Sequence, residues 1–208
     1  MAGNSTLGFS GDGGLATLAR IWAPSGIAID ASKNIYIADR GNSLIRKISS
    51  TGYISTVAGD PQLDGYTGDG GPAINAQLNS PYGVGVDAFG TIYFADTANF
   101  VVRMVTNDTN IISTVAGTGS SGYSGDGGIA TSGRLTNPIS IFVRTAGNVY
   151  VADNGANTIR KLSGYNEPTI APTINPTNMP TSTFPAVLTK MLMGLVNRPD
   201  VAIPPSPL

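Results

Sequence analysis

Three aspartates, Asp39, Asp96 and Asp153, stand 57 residues apart, and so do Arg46, Arg103 and Arg160, and Asp12, Asp69 and Asp126. The text around them keeps the same register. Ile35-Tyr36-Ile37-Ala38-Asp39 returns as Ile92-Tyr93-Phe94-Ala95-Asp96 and again as Val149-Tyr150-Val151-Ala152-Asp153, and the Gly-Asp-Gly-Gly stretch at Gly11 recurs at Gly68 and Gly125. Self-similarity at a fixed period constrains a chain more than any composition does. Each period is one supersecondary unit that cannot bury its apolar face alone and must stack on its neighbours.

Within a period the apolar runs are short. In the first, residues 26–30, 34–39, 44–49 and 53–58 are rich in Ile, Val and Tyr and bounded by Gly, Asn, Asp and Ser, which predicts four strands, a to d. Ile27 and Ile29 share one face of strand a. Several of the runs are apolar at nearly every position, which implies burial on both faces, as in a sheet with a neighbour on each side. Gly (27) and Pro (14) are abundant and only 12% of residues are charged, which suits short strands and tight turns rather than charged surface helices. About twenty residues separate strand d from the next strand a, with Pro24, Pro81 and Pro138 at the start of strand a.

The pattern Ser80-Pro81-x-Gly83-Val84-x-Val86-Asp87, with Ile35-Tyr36-x-Ala38-Asp39-x-x-Asn42 and Ile45-Arg46-Lys47, resembles the NHL repeat. The resemblance covers residues 1–164, as blades at about 8–60, 65–118 and 122–164. It implies an all-β fold, a partial β-propeller of three four-stranded blades from a family whose rings usually hold six. The functions it implies range over protein, RNA and glycan-associated binding, sensing, and a minority of metal-dependent enzymes, so it constrains fold more than function.

The third period ends in strand c at Ile159-Arg160-Lys161-Leu162, without a counterpart of Ile112-Ser113-Thr114-Val115-Ala116-Gly117. At the other end Met1-Ala2-Gly3 falls in register with Val115-Ala116-Gly117, the close of a strand d whose blade is absent. Two flat apolar faces are therefore left without neighbours. At roughly 500 Å² each and about 25 cal/mol/Å², an open face forfeits on the order of 10 kcal/mol, comparable to the about 5–15 kcal/mol of a typical domain. Two remedies are open: a homodimer completing a six-bladed ring, or membership of a longer propeller, which the in-register start favours.

After Gly164 the composition changes. Pro168-Thr169, Pro172-Thr173, Pro176-Thr177 and Pro180-Thr181 recur every four residues, predicting an extended Thr/Pro-rich linker over 165–185 and a short disordered tail over 186–208. Such a linker is either an O-glycosylated stalk of an extracellular or wall-associated protein or a plain spacer. The apolar run 186–196 contains Lys190 and is too short to span a bilayer, and residues 1–5 do not read as a signal peptide. Asn4-Ser5-Thr6 and Asn107-Asp108-Thr109 match the N-glycosylation pattern, a weak signal alone.

Function is read partly by elimination. The chain has no Cys and no His, which removes thiolate chemistry, the commonest general base and the commonest transition-metal ligand. A formal net charge of −1 offers no basic footprint for nucleic acid. The candidate surface is the end of the blades where the d–a loops and b–c turns emerge together, carrying Asp12, Asp69 and Asp126 on the first and Asp39, Asp96 and Asp153 on the second. Each Gly-Asp-Gly-Gly loop is either a structural turn or a partner- or ion-binding loop. A calcium site needs six to eight oxygens, and one Asp per loop does not supply them. Asp39, Asn42 and Arg46, with Asp96, Asn99 and Arg103 and with Asp153, Asn157 and Arg160, read as scaffold, because a catalytic site is a single asymmetric constellation. Phe9, Tyr66 and Tyr123 read as packing plugs beside the loops. The leading expectation is a non-catalytic module that binds a protein or glycan, without a cofactor. The alternative is part of a calcium-dependent propeller lyase or hydrolase whose site lies in blades not present.

Overall fold

The computed structural model describes residues 2–144 and 148–162. The Thr/Pro-rich stretch over 165–185 and the tail over 186–208 lie outside them. Among the described residues eleven strands form three antiparallel sheets, each ordered as its strands occur in the chain. The first blade holds β1 (Pro24–Ile29), β2 (Ile35–Asp39), β3 (Leu44–Ile48) and β4 (Ile54–Ala58). The second holds β5 (Pro81–Val86), β6 (Ile92–Asp96), β7 (Val101–Val105) and β8 (Ile112–Ala116). The third holds β9 (Pro138–Val143), β10 (Val149–Asp153) and β11 (Thr158–Lys161), three strands among the described residues. Helical structure there is confined to three-residue 3-10 turns.

Strand a begins two residues earlier than the sequence suggested and stops before Asp30. Pro24 pairs with Asp39 ahead of a register shift, since a proline without an N–H is tolerated at a strand's first position. Asp30 closes the a–b turn instead. Its carboxylate accepts from the Asn34 backbone N–H (2.8 Å), the Asn34 side-chain amide (2.7 Å) and the Tyr36 hydroxyl (3.1 Å).

Alternation then decides the packing. One face of the first blade (Tyr36, Ala38, Ile45, Ala58) meets the opposite face of the second (Val84, Ile92, Phe94) in one core cluster, which also takes in Val105 and Ile112. Tyr93, Ala95 and Val102 meet Ile141, Val149 and Val151 in the next. A third cluster lies on the far side of the first blade, where Ala16, Ala19 and Ile21 cover Ile35, Ile37, Ile48 and Ile54. The long d–a segment reaches this far because it runs back along the outer edge of strand d. The Gly13 N–H donates to the Ile54 carbonyl (2.8 Å) and the Ile54 N–H to the Gly14 carbonyl (2.9 Å). Gly70, Gly71 and Ile112 repeat the pair. Each covered edge is a strand edge withdrawn from unwanted pairing.

The innermost strands approach backbone to backbone. A Cβ at Gly83 would stand 2.6 Å from the Ser140 Cα and 2.8 Å from the Ile139 carbonyl oxygen, atoms that move only if the blades separate. Gly83→Ala is therefore expected to destabilise the chain by about 1–3 kcal/mol, the usual cost of overpacking, read as a lower urea midpoint with an unchanged slope.

Candidate functional site

Each blade is organised around the arginine of strand c. Arg46 is fully buried. Its guanidinium donates to the Asp39 carboxylate (3.2 Å), the Asp12 carboxylate (2.5 Å) and the backbone carbonyls of Ser10 (3.2 Å) and Arg20 (3.4 Å). The Phe9 ring lies over it, 4.8 Å from centroid to Cζ. Arg103 repeats the arrangement with Asp69 (2.6 Å), the carbonyls of Thr67 (2.8 Å) and Gln77 (3.0 Å), a longer 3.7 Å approach to Asp96, and the Tyr66 ring at 5.4 Å. Arg160 binds Asp126 (2.7 Å) and the carbonyls of Arg134 (2.6 Å) and Ser124 (2.7 Å) beneath Tyr123. A planar fork of five donors suits such a hub, since carbonyls from two strands of loop and two carboxylates can be met at once.

The six candidate aspartates divide into two groups. Asp39, Asp96 and Asp153 are fully buried, so although they lie at the same end of the blades as the d–a loops, they do not belong to an accessible surface as expected. Their carboxylates reach back to the strand preceding their own and hold its first turn. Asp39 accepts from the Trp22 N–H (2.8 Å), Asp96 from Asn79 (2.8 Å), and Asp153 from Thr136 and Asn137 (3.0 and 2.7 Å). Asn42 and Asn99 each bridge from that aspartate to a d–a loop carbonyl, of Gly8 (2.8 Å) and Gly65 (2.7 Å), so the loops and the b–c turns do meet at one end. Asn157 does not repeat this role. It takes the left-handed backbone position (φ 54°) that Ser43 and Phe100 occupy in the other blades, and Ala156 stands where the bridging asparagine would be.

Asp12, Asp69 and Asp126 are exposed, but their oxygens are engaged. Asp12 and Asp69 each give one oxygen to the arginine and the other to a strand d amide, Thr56 (3.0 Å) and Thr114 (3.1 Å). In the third blade the second oxygen accepts instead from the Tyr123 hydroxyl (2.5 Å). That contact holds the Asp126 carboxyl below its ordinary range, helped by Arg160, and pushes the Tyr123 hydroxyl up. Among the described residues no group of three or more His, Cys, Asp or Glu lies close enough to hold a metal ion. The loops of the first two blades therefore tie the outer edge of each to its core. Phe9, Tyr66 and Tyr123 stack on the guanidinium and keep one face in solvent. Sequence reasoning missed the apolar side chains that the same loops expose, Leu15, Leu18, Ile74 and Ile129 among them. The only available signal was their placement between glycine-rich turns.

Two predictions follow from the arginine hubs. Arg103→Met leaves Asp96 buried and unpaired and is expected to cost about 3–5 kcal/mol. The same change at Arg160, whose partner Asp126 is exposed, is expected to cost about 1 kcal/mol or less. Urea unfolding of the two variants compares them. Burial, outweighing the Asn99, Asn79 and Arg103 contacts, raises the Asp96 carboxyl to about 6, and Asp39 is raised for the same reason. An aspartate in the unfolded chain titrates near about 4, so the folded chain holds the extra proton between those values. The contribution is present below about pH 4 and lost as pH rises through about 6. Relative to Asp96→Asn, the natural chain should lose melting temperature between pH 4 and 7; a constant difference would contradict the assignment.

Comparison with known proteins agrees with this architecture. The family model of the teneurin NHL domain matches residues 6–67 and 60–124, more than half of the chain. The Arabidopsis thaliana protein Suppressor of quenching 1, chloroplastic, is 32% identical over 146 residues, 67% of this chain and 14% of its own length. Teneurin-1 of Gallus gallus is 32% identical over 156 residues, 66% of this chain and 6% of its own length, and NHL repeat-containing protein 2 of Bos taurus is 33% identical over 109 residues, 50% and 14%. The chain thus spans a seventh or less of the length of these relatives. Among solved structures, a putative phosphatase from Bacteroides thetaiotaomicron superposes with a TM-score of 0.56 at 22% identity, covering 74% of this chain and 37% of that one. A second protein from that organism, of unknown function, superposes at 0.54 and 22% identity, covering 62% and 32%. Shared fold, repeat register and matched family model together place this chain in the NHL-repeat family.

Proposed function

We propose that this chain is a non-catalytic binding module that presents its d–a loops to a protein partner. The observation that carries the reading is the distribution of exposed large apolar side chains. Leu7, Phe9, Leu15, Leu18 and Trp22 in the first loop, Leu63, Tyr66 and Ile74 in the second, and Tyr123 and Ile129 in the third make up most of those among the described residues. The loops are held rigidly by the arginine hubs, so little ordering is left to pay for when a partner binds. Complete burial of a large apolar side chain is worth roughly 1.5–3 kcal/mol, and these side chains, already partly buried, contribute a fraction of that once covered. The carboxylates beside them are already committed to arginine and strand amides, which supports a contact made by apolar and aromatic groups with a polar rim rather than an ion-mediated one. Repetition of the polar cluster in each blade supports a scaffold rather than a reaction centre.

Probing a protein array and a glycan array with the labelled full chain tests this. Binding to a protein is expected, weakened at least tenfold by the triple change Leu18→Ser, Ile74→Ser and Ile129→Ser, whose side chains are exposed, with the melting temperature kept. Binding to glycans alone, or affinity indifferent to the triple change, would overturn it.

A further inference from the structure

Three side chains break the repeat, and the fold gathers them in one place. Trp22 stands where the later periods have Asn79 and Thr136. Arg40 stands where they have Thr97 and Asn154, and Tyr82 where the other two periods have Ser25 and Ile139. A scaffold repeats its demands from blade to blade, as the arginine hubs do, so residues that depart from the period together answer to something other than the scaffold. The Trp22 ring rests on the b–c turn of its own blade. A Cβ at Gly41 would stand 2.5 Å from the Trp22 Cγ, so the indole lies against bare backbone. Arg40, the residue before that glycine, reaches across to the second blade, its Cζ 5.4 Å from the centroid of the Tyr82 ring.

Joining the blades does not require this cluster. At the next seam Thr97 holds the place of Arg40, and its hydroxyl donates to the Pro138 carbonyl (2.6 Å). The first seam has both of its blades within the described residues, and there Arg40 and Tyr82 remain exposed, Tyr82 at 36%; Trp22 is 47% exposed beside them. Each of the three can donate a hydrogen bond, from the indole N–H, the guanidinium and the phenol, and none has an acceptor among the described residues. The adjoining carboxylate, Asp39, is buried and turned inward, its oxygens taken by the Trp22 backbone N–H, Asn42 and Arg46. The Arg40 charge is therefore without a partner on that surface.

We propose that Trp22, Arg40 and Tyr82 receive an acidic side chain of the protein partner, an aspartate or glutamate that stands beside an apolar residue. A guanidinium laid over a ring keeps its N–H edges for a carboxylate, which its planar fork meets with two parallel bonds. The indole and the phenol offer flat apolar area to the neighbouring residue. Trp, Tyr and Arg are also the side chains in which the energy of a protein interface concentrates. The aliphatic side chains exposed by the d–a loops at the same end of the blades favour a peptide over an acidic sugar, which has no large apolar group to cover them. The inference rests on the loop-binding reading and adds to it. Loops that repeat cannot tell a partner which blade it has met, whereas this cluster marks the first seam.

Fluorescence anisotropy of the full chain with two sets of short labelled peptides tests it, one set with a central glutamate among leucine and proline and a matched set with glutamine in its place. The glutamate set is expected to bind about tenfold more tightly, a charge-assisted pair against a neutral one. Arg40→Gln should abolish that preference and Arg40→Lys should restore part of it. The arginine side chain is exposed, so the melting temperature should stay the same. Equal affinity for the two sets, no affinity for either, a preference that survives Arg40→Gln, or tighter binding of polygalacturonate than of any peptide would overturn the proposal. A protein captured on the array through Leu18, Ile74 and Ile129 but indifferent to Arg40→Gln would sink this inference and leave the loop reading standing.

Discussion

A guanidinium with no access to water sits in each of the first two blades, and the rest of the fold is arranged to make that tolerable. Burying a charge without compensation is costly, and Arg46 and Arg103 are compensated by carboxylates from two directions and by carbonyls from both arms of the incoming loop. The glycine-rich loop must fold back to deliver its aspartate, and in doing so it covers the outer edge of strand d. The b–c turn must lie beside that loop, and Asn42 and Asn99 fasten it there. Loop path and edge protection in these two blades thus go together with one buried ion in each.

The third blade shows what the hub depends on. Arg160 keeps the loop carbonyls and Asp126, yet it is partly exposed, and the carboxylate oxygen that binds a strand d amide elsewhere turns to Tyr123. The exposed aspartates, which look alike in the sequence, therefore differ in their hydrogen bonds among the described residues: two accept from a strand d amide and the third from a tyrosine hydroxyl.

Much of the fold could be read from the chain because a repeat reports the same structural demand several times. The strands came within a residue or two, and Ile27 and Ile29 were correctly placed on one face. Pro24 and Ser25 were left out of the first strand because a proline reads as a boundary. Asn157 was matched by residue type one position out of register, where the demand was for a left-handed backbone rather than an amide. The candidate site was less legible. Asp12 meets Arg46 across 34 residues and Thr56 across 44, and nothing local announces a loop that doubles back along a strand edge. The burial of Asp39, Asp96 and Asp153 was likewise hidden, since an aspartate at a turn usually faces water.

Strands β4 and β8 have the same five residues, Ile-Ser-Thr-Val-Ala. Side-chain chemistry therefore cannot tell either strand which blade it belongs to. The decision falls to the connecting chain. Ile48 is six residues from Ile54 but 64 from Ile112, and closing the longer loop costs about 2 kcal/mol more. That is a preference of roughly thirtyfold for the local partner, enough to bias folding but small enough that a slow or crowded fold would sample the exchanged pairing. In a chain built from copies, the turn between strands c and d acts as the address label that the strand itself lacks.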